Sequence, residues 1–260
     1  MSTPAASPAD LRAAFDAATR IVFLTGAGLS TESGIPDFRS ATGLYASGVS
    51  EEVFDIEVFR KRPEVFYAFA CRFLDTVRRA RPNAGHAAMA ALARQPGKRV
   101  TVITQNIDTL HQDAGSPVVH PVHGTLATSR CEQCAKPVAT SDLWPEIAAG
   151  AVPRHAGCGG VFKPEIVFFG EPLPERVFAA AGRAVREADL LVIAGTSLAV
   201  YPAAGLPQMR TRACRLAIVN RTPTPLDDDA DWLFRDSIGA VLGAAAVDPT
   251  PMEDEFAAQA

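Results

Sequence analysis

Two pairs of possible metal ligands lie in one part of the chain. Cys131 and Cys134 are separated by two residues, and His155 and Cys158 repeat that spacing further along. A two-residue gap lets both side chains of one turn reach a single tetrahedral ion, and three cysteines with one histidine form an accepted structural zinc set. Four protein ligands leave no open position for water, so the pattern predicts a structural Zn²⁺. The alternative is that His155 is an ordinary loop residue and the site is incomplete.

A second candidate site begins where an apolar strand runs into a glycine-rich turn. Residues 21–24 are apolar, and Gly26, Ala27 and Gly28 follow closely. Glycines let a backbone pass near a ligand, and the amides of a strand-to-helix turn can bind a pyrophosphate. The ordinary dinucleotide fingerprint needs a third glycine at the position of Thr31. The segment therefore predicts a dinucleotide site that differs from that of dehydrogenases.

Polar side chains follow two other apolar stretches. Residues 100–104 read as a buried strand that ends in Gln105, Asn106 and Asp108, where open α/β sheets place ligand groups. His123 follows another strand-like stretch, and an imidazole that titrates near neutrality can accept a proton from a hydroxyl group. We therefore take His123 as the candidate general base. The histidines expected to be structural are His86, His111 and His120.

The longer motifs resemble those of the sirtuins, a family of NAD-dependent protein-lysine deacylases. In family order, from about residue 22 to about residue 240, stand GAGLSTESGIPDFRS, TQNIDTLH, HPVHG, the split ligand set, KPEIVFFGE and GTSLAVYPA. The resemblance is to short bacterial sirtuins with a single module. It implies NAD as co-substrate, one structural Zn²⁺, and transfer of the acetyl group of N6-acetyl-lysine to ADP-ribose with release of nicotinamide.

The resemblance also implies roles for individual residues. The acyl oxygen would attack the NAD ribose carbon that bears nicotinamide, an alkylamidate would form, and His123 would activate the ribose diol. Asn106 and Asp108 would be catalytic with His123. The implied NAD contacts are Gly26, Ala27, Gly28, Ser30, Thr31, Phe38, Arg39, Gln105, Asn106, Ile107, Asp108, His123, Gly195, Thr196, Ser197, Asn220 and Ile238. The implied peptide contacts are Val167, Phe168, Phe169, Gly170 and Tyr67.

The substrate is expected to be an acetyl-lysine protein or peptide. Sirtuins that remove acidic acyl groups carry a tyrosine followed three residues later by an arginine, whereas Tyr67 here is followed by Ala70. An acidic chain would lack its cation, which favours acetyl or another neutral short acyl group. The apolar run 167–171 is expected to pair with the substrate through its backbone.

Three other activities compete with deacetylation. A protein mono-ADP-ribosyltransferase is the alternative function, because a protein nucleophile can attack the same ribose carbon. A non-enzymatic NAD-binding protein would predict loss of His123 or Asn106, and both are present. A dehydrogenase is the weakest interpretation, since the third fingerprint glycine is absent.

Strand signals at residues 21–24, 100–104, 190–194 and 215–219 alternate with helix-like stretches. This alternation predicts an α/β fold with a doubly wound, parallel Rossmann-like sheet covered on both faces. The predicted NAD-binding domain comprises residues 10–42, 82–123 and 164–247. A helical insertion at 43–81 and a zinc insertion at 124–163 would form a smaller domain, as the resemblance implies. Residues 1–9 and 248–260 are expected to be flexible ends, with Asp10 as the first helix cap.

Bulk properties limit the class of protein. With 260 residues and 48% hydrophobic residues, the chain can bury a substantial core, and its net charge of −4 gives no overall attraction to nucleic acid. No leader or membrane span is evident, and three of five cysteines fall in a pattern suited to a reducing compartment, so we expect a cytoplasmic protein. Cys71 and Cys214 are expected to be inert buried thiols. The oligomeric state is left open, and a monomer is compatible.

Overall fold

The computed structural model describes residues 6–246, so most of the two predicted flexible ends, 1–9 and 248–260, lies outside the described residues. The first helix, α1 (Pro8–Ala17), begins before the predicted start. Ser7 is its N-cap, and a capping box joins the Ser7 and Asp10 side chains to each other's backbone amides. The prediction that Asp10 is the cap is therefore wrong, because Asp10 is the third residue of the helix and completes the box.

Six parallel strands form the main sheet, in the order β3-β2-β1-β7-β8-β9. Their bounds are β1 (Arg20–Thr25), β2 (Arg99–Thr104), β3 (Val119–Pro121), β7 (Leu190–Ala194), β8 (Arg215–Val219) and β9 (Trp232–Phe234). The four strands predicted from the sequence are all present. The chain starts at the centre, adds strands to one edge and then returns to the other side of β1, as in doubly wound folds.

Helices cover both faces of this sheet. Successive residues of a strand point to opposite sides, and both sides of the central strand are apolar, so each side packs against helices. On one face, Ile21 and Phe23 pack with α1, α5 (Ala84–Arg94) and α9 (Ile238–Ala246). On the other face, Val22 and Leu24 pack with α8 (Glu175–Glu187). The central strand is buried on both sides, which confirms the predicted Rossmann-like α/β class.

The register brings the carboxyl ends of the central strands to one edge. Thr25 pairs with both Thr104 and Ala194, and Ala194 pairs with Val219. The first residue after each of β1, β2, β7 and β8 is a predicted cofactor residue. The register therefore aligns the turns that carry Gly26, Gln105, Gly195 and Asn220.

The two long insertions share a separate hydrophobic cluster. It joins α3 (Ile56–Lys61) and α4 (Pro63–Arg79) to α7 (Thr140–Ala148) and to a three-stranded antiparallel sheet. That sheet has the order β5-β4-β6, with β4 at Gly124–Cys131, β5 at Pro137–Ala139 and β6 at Phe162–Ile166. Two short helices, α2 (Ala27–Ser30) and α6 (Leu110–Asp113), follow β1 and β2. The domain boundaries themselves stay a prediction.

Within residues 6–246, none of the helices combines the length and the apolar character that crossing a membrane requires.

Candidate active site

A cleft of about 610 Å³ lies along the carboxyl edge of the main sheet. Its volume is in the range of cofactor and ligand sites. The sheet edge forms one wall, and the segment 166–171 and residues 37–45 contribute the other. Predicted cofactor residues that line it are Gly26, Ala27, Gly28, Thr31, Phe38, Arg39, Gln105, Asn106, Ile107, His123, Gly195, Thr196, Ser197, Asn220 and Ile238. Predicted peptide residues that line it are Val167, Phe168, Phe169 and Gly170.

The glycines of the first turn are required by the protein backbone as well as by space for a ligand. A Cβ on Gly28 would lie 2.9 Å from the Gly195 Cα, and one on Gly26 would lie 2.7 Å from the Thr196 Cβ. Gly195 itself has φ of +68°, which disfavours a side chain. The two turns therefore touch backbone to backbone, and the floor of the cleft is a contact between glycines.

His123 is held with one ring nitrogen available to the cleft. Its Nδ1 lies 3.1 Å from the Gln105 carbonyl oxygen. A carbonyl oxygen can only accept, so Nδ1 carries the proton and Nε2 keeps a lone pair. Burial lowers the pKa of His123, although the bond to Gln105 opposes the shift. The imidazole is therefore neutral near pH 7 and suited to accept a proton.

Asn106 lines the cleft, whereas Asp108 and Ser30 lie behind it. Asn106 Nδ2 donates to Ser30 Oγ at 2.9 Å, and Ser30 Oγ donates to Asp108 Oδ2 at 2.8 Å. The other Asp108 oxygen accepts from the Leu110 amide at 3.1 Å. Burial raises the pKa of Asp108, and these hydrogen bonds oppose the rise. Ser30 and Asp108, both predicted to contact cofactor, and Asp108 also predicted to be catalytic, do not line the cleft and instead orient the Asn106 amide in this structure.

The predicted substrate segment lines the cleft, but much of its backbone is already paired. Val167 donates to the His123 carbonyl at 2.8 Å, and Phe169 exchanges hydrogen bonds with Phe54 and Ile56. These two amides are therefore not available for the backbone pairing with substrate that was expected over 167–171. The Val167 carbonyl accepts no hydrogen bond from the described residues.

Tyr67 does not line the cleft, contrary to the prediction. It is 1% exposed, packs against Phe59 and Phe66, and donates its hydroxyl to the Phe162 carbonyl. Burial raises the pKa of its hydroxyl. Ala70, the position that would carry an arginine in sirtuins specific for acidic acyl groups, is buried as well. The argument from Tyr67 to acyl preference therefore has no support in this geometry.

Several residues of the cleft were not predicted from the sequence. Tyr45 lies beside Phe38 with ring centroids 5.8 Å apart, and Tyr201 stands 68% exposed at the rim. Glu32 lines the cleft and binds the start of α9, where its carboxylate accepts from Ser237 Oγ at 2.9 Å and from the Gly239 amide at 3.1 Å. Tyr201 belongs to the GTSLAVYPA motif, which was the available signal. Glu32 likewise belongs to the GAGLSTESGIPDFRS motif, but its contacts with Ser237 and Gly239 at the other end of the chain gave no sequence signal.

The four predicted metal ligands converge beside the sheet β5-β4-β6. This sheet, together with α3, α4 and α7, is called the smaller lobe. Their ligand atoms all lie within 4.8 Å of one another. Cys131 Sγ is 3.5 Å from Cys158 Sγ, and His155 Nδ1 is 3.2 Å from Cys158 Sγ and 3.4 Å from Cys134 Sγ. Tetrahedral Zn²⁺ with Zn–S near 2.3 Å separates its ligands by about 3.5–3.8 Å. The donor set therefore fits one zinc ion with no open position, and His155 would bind through Nδ1.

The two leftover thiols differ in burial. Cys214 is buried as predicted, whereas Cys71 is only partly buried, at the edge of the cluster formed by the two insertions.

Two buried histidines lie beneath the cleft. His86 and His111 are 0% and 1% exposed, and their rings pack edge to face at 4.8 Å. His111 Nε2 lies 3.0 Å from Thr25 Oγ1, and the backbone N–H of Asn83 donates to His86 Nδ1 at 3.3 Å. Burial lowers the pKa of His86 to about 4 and, together with His86, that of His111 to about 3. The pair is therefore neutral in the folded protein, as its structural role requires.

We expect this pair to make the fold sensitive to mild acid. An unfolded imidazole binds its proton near pH 6.5, whereas the buried rings stay neutral, so the free energy of unfolding falls as the pH drops from 6.5 towards 4. For His86 alone the loss by pH 4 is about 3 kcal/mol. Urea unfolding at pH 7.5, 6 and 5 measures it. His111→Gln, which keeps a hydrogen-bonding group near Thr25, should show a shallower pH dependence than the unsubstituted protein; equal slopes would contradict the assignment.

Comparison with known proteins places this geometry in a family. Residues 26–202 match the Sir2 family. An NAD-dependent protein deacetylase of Clostridium perfringens is 41% identical over 228 residues, covering 86% of this chain and 91% of the relative. An NAD-dependent protein deacylase of Mycobacterium tuberculosis is also 41% identical, covering 86% and 94%.

A solved Sir2 structure is similar over nearly the whole chain. It is described as a complex with deacetylated p53 peptide and 3′-O-acetyl-ADP-ribose. It superposes with a TM-score of 0.86 at 37% identity and covers 92% of this chain and 97% of that chain. The family match, the identities and the shared architecture agree, and the chain belongs to the Sir2 family, the sirtuins.

Proposed function

We propose that this protein is an NAD-dependent protein-lysine deacetylase that transfers the acetyl group of N6-acetyl-lysine to ADP-ribose and releases nicotinamide. One observation carries the proposal. His123, with Nε2 free to accept a proton, lies where the cofactor turns and the substrate segment meet, and the Val167 amide binds its carbonyl directly. The relatives with protein deacetylase activity in their names support the same reaction.

The cleft residues divide the work. When bound, NAD supplies an activated ribose carbon and a neutral leaving group. The glycine turns and Asn220 would hold its phosphates and adenosine at the sheet edge. The Asn106 amide, oriented through Ser30 and Asp108, would position the nicotinamide end. His123 would then take a proton from the ribose diol as the acyl group moves to the sugar.

The peptide would enter beside segment 166–171. The side-chain amide of an acyl-lysine has one N–H donor, and Val167, which lines the cleft, has a carbonyl that accepts no hydrogen bond within residues 6–246. The apolar walls include Phe38, Phe54 and Ile107, which suits a short uncharged acyl chain. We therefore propose acetyl as the preferred group. Propionyl and succinyl peptides, tested beside acetyl, measure this preference.

Mass spectrometry tests the function directly. Purified protein is incubated with an acetyl-lysine peptide, with and without NAD. The expected result is loss of acetyl that needs NAD, with one nicotinamide and one acetyl-ADP-ribose formed for each peptide. A peptide that stays acetylated while ADP-ribose becomes attached to protein would replace this proposal by the mono-ADP-ribosyltransferase. NAD binding without any turnover would favour a non-enzymatic NAD-binding protein.

The physiological substrates belong to the proposal only as a class, proteins that carry acetyl-lysine. The cytoplasmic location stays a prediction from the sequence, and so does the expectation that the protein does not bind nucleic acid.

A further inference from the structure

Lys163 places an ammonium group in the interior, close to the substrate segment. The side chain is 7% exposed. Its Nζ donates to the Ile166 carbonyl at 2.8 Å and the Pro164 carbonyl at 3.2 Å, and lies 2.9 Å from Glu171 Oε2. A buried ion is costly unless its partners replace water. These three oxygens therefore satisfy all three N–H donors of the ammonium.

Two of the acceptors of Lys163 are the first and last residues of the substrate segment 166–171. Ile166 opens the segment and Glu171 closes it, so the ammonium ties the two ends together across Val167, Phe168, Phe169 and Gly170. Glu171 Oε2 also accepts from the Phe168 amide at 2.8 Å. The Nζ lies 4.4 Å from the centroid of the Phe168 ring, which adds a cation–π contact.

The four residues between the two ends of the segment all line the cleft. Val167 stands between the two ends, with its amide bound to the His123 carbonyl and its own carbonyl accepting no hydrogen bond from the part of the chain that the structure describes. Phe169, 41% exposed, stands at the rim of the cleft. The cofactor turns that follow β1, β2 and β7 make no contact with Lys163 through hydrogen bonds or ion pairs in the described residues.

We infer that Lys163 and Glu171 are positioning residues for the acyl-lysine peptide, and that they do not serve NAD. The ion pair holds segment 166–171 in the shape that aims the Val167 carbonyl and Phe169 at the peptide. The inference rests on the proposed deacetylase function, since it assigns a role in binding that substrate. Lys163 does not line the cleft, and Glu171 lines it at the end of the substrate segment.

Steady-state kinetics with an acetyl-lysine peptide and NAD tests the inference. Lys163→Met keeps a flexible apolar stem over Phe168 but removes the charge. We expect KM for the peptide to rise about tenfold or more, and KM for NAD to change less than about twofold. Glu171→Gln, which keeps an oxygen for the Phe168 amide, should act in the same direction. Lys163→Arg, which keeps a cation, should restore most of the peptide affinity.

A neighbouring ion pair provides the matched control. Arg130 on β4 binds Glu165 at 2.8 Å, and Glu165 lies on β6 with Lys163, but neither residue belongs to the segment between Ile166 and Glu171. Arg130→Met should leave both KM values unchanged. Anisotropy of a labelled acetyl-lysine peptide and calorimetry with ADP-ribose measure the two binding sites without turnover. They apply equally to Glu171→Gln if Lys163→Met does not fold.

The outcomes separate the two claims. Wild-type protein that does not deacetylate the peptide would remove the proposed function itself. Wild-type turnover, with peptide KM unchanged in both Lys163→Met and Glu171→Gln, would overturn only the positioning role. An equal rise of both KM values, or a fall in melting temperature with normal kinetics, would mean that the pair stabilises the fold and does not position the peptide.

Discussion

His123→Ala should abolish deacetylation, with a loss of about 10²–10⁴-fold in kcat. The substitution removes the ring, including Nε2 and the Nδ1 contact with the Gln105 carbonyl, but it keeps the His123 backbone carbonyl that accepts from the Val167 amide. In the proposed reaction, nicotinamide would leave before His123 acts on the ribose diol, so its release and return would not need the base. Exchange of labelled nicotinamide into NAD, in the presence of acetyl peptide, should therefore persist while acetyl-ADP-ribose disappears.

The same assignment predicts the acid limb of the pH profile. Burial depresses the pKa of His123, so the neutral form persists below the ordinary histidine value near 6.5. The value of kcat/KM should fall as the pH drops through this lowered pKa, with a midpoint below 6.5. Unfolding at each pH must be measured beside activity, because His86 and His111 also respond to acid.

In the exchange experiment, loss of nicotinamide exchange together with deacetylation in His123→Ala would point to a defect in binding and not in base catalysis.

Removal of the metal should unfold the smaller lobe. The ion would join the turn of Cys131 and Cys134 to that of His155 and Cys158, and binding of a structural zinc contributes about 10 kcal/mol or more to folding in small metal modules. Cys158→Ser is expected to lose zinc and to lower the melting temperature sharply. Metal content by mass spectrometry of the elements and far-UV circular dichroism measure both effects.

Two substitutions control the zinc experiment. Cys71→Ser changes a partly buried thiol outside the ligand set and should keep one zinc per chain. His155→Cys converts the set to four cysteines and should also retain zinc, which separates ligand chemistry from loop structure. Metal-free wild-type protein with an unchanged melting temperature would show that the four residues are not a structural zinc site.

Loss of zinc should reach the peptide side of the cleft first. Strand β4 begins at Gly124, directly after His123, and ends at the ligand Cys131, which pairs with Phe162 at the start of β6. Strand β6 in turn leads into segment 166–171. The glycine turns of the main sheet have no such connection.

The sequence allowed much of the cofactor wall to be predicted, because local rules govern it. Parallel strands end at a common edge, so polar groups after apolar runs identify that edge without knowledge of the packing. The metal ligands were equally accessible, since their spacing is itself the geometric constraint.

Residues whose roles depend on distant contacts were less accessible. Ser30 lies within a cofactor motif, yet its hydroxyl turns inward to Asp108, a direction that only the tertiary structure sets. The backbone of Phe169 is taken by Phe54 and Ile56, which belong to the other insertion. Likewise, the choice of the free nitrogen of His123 depends on the position of the Gln105 carbonyl.

Tyr67 is different, because the sequence did hold a signal for its burial. Tyr67, Ala70 and Leu74 follow the three- and four-residue spacing of the buried face of α4. That periodicity predicts a core position, whereas the resemblance to sirtuins implies a peptide contact. The periodicity is correct for Tyr67. The Tyr67 hydroxyl donates a hydrogen bond to the Phe162 carbonyl inside the smaller lobe, so the buried polar group has a partner.

The central position of β1 has a consequence for synthesis of the protein. One edge of β1 pairs with β2, but the other waits for Leu190–Ala194, far along the chain. While the ribosome is still making the intervening segment, β1 has an unpaired, apolar edge of the kind that promotes aggregation. The glycine turn after β1 cannot be completed during that interval, because Gly28 packs against Gly195 and donates its amide to the Gly195 carbonyl. The first wall of the cofactor cleft is therefore finished only after β7 has been made.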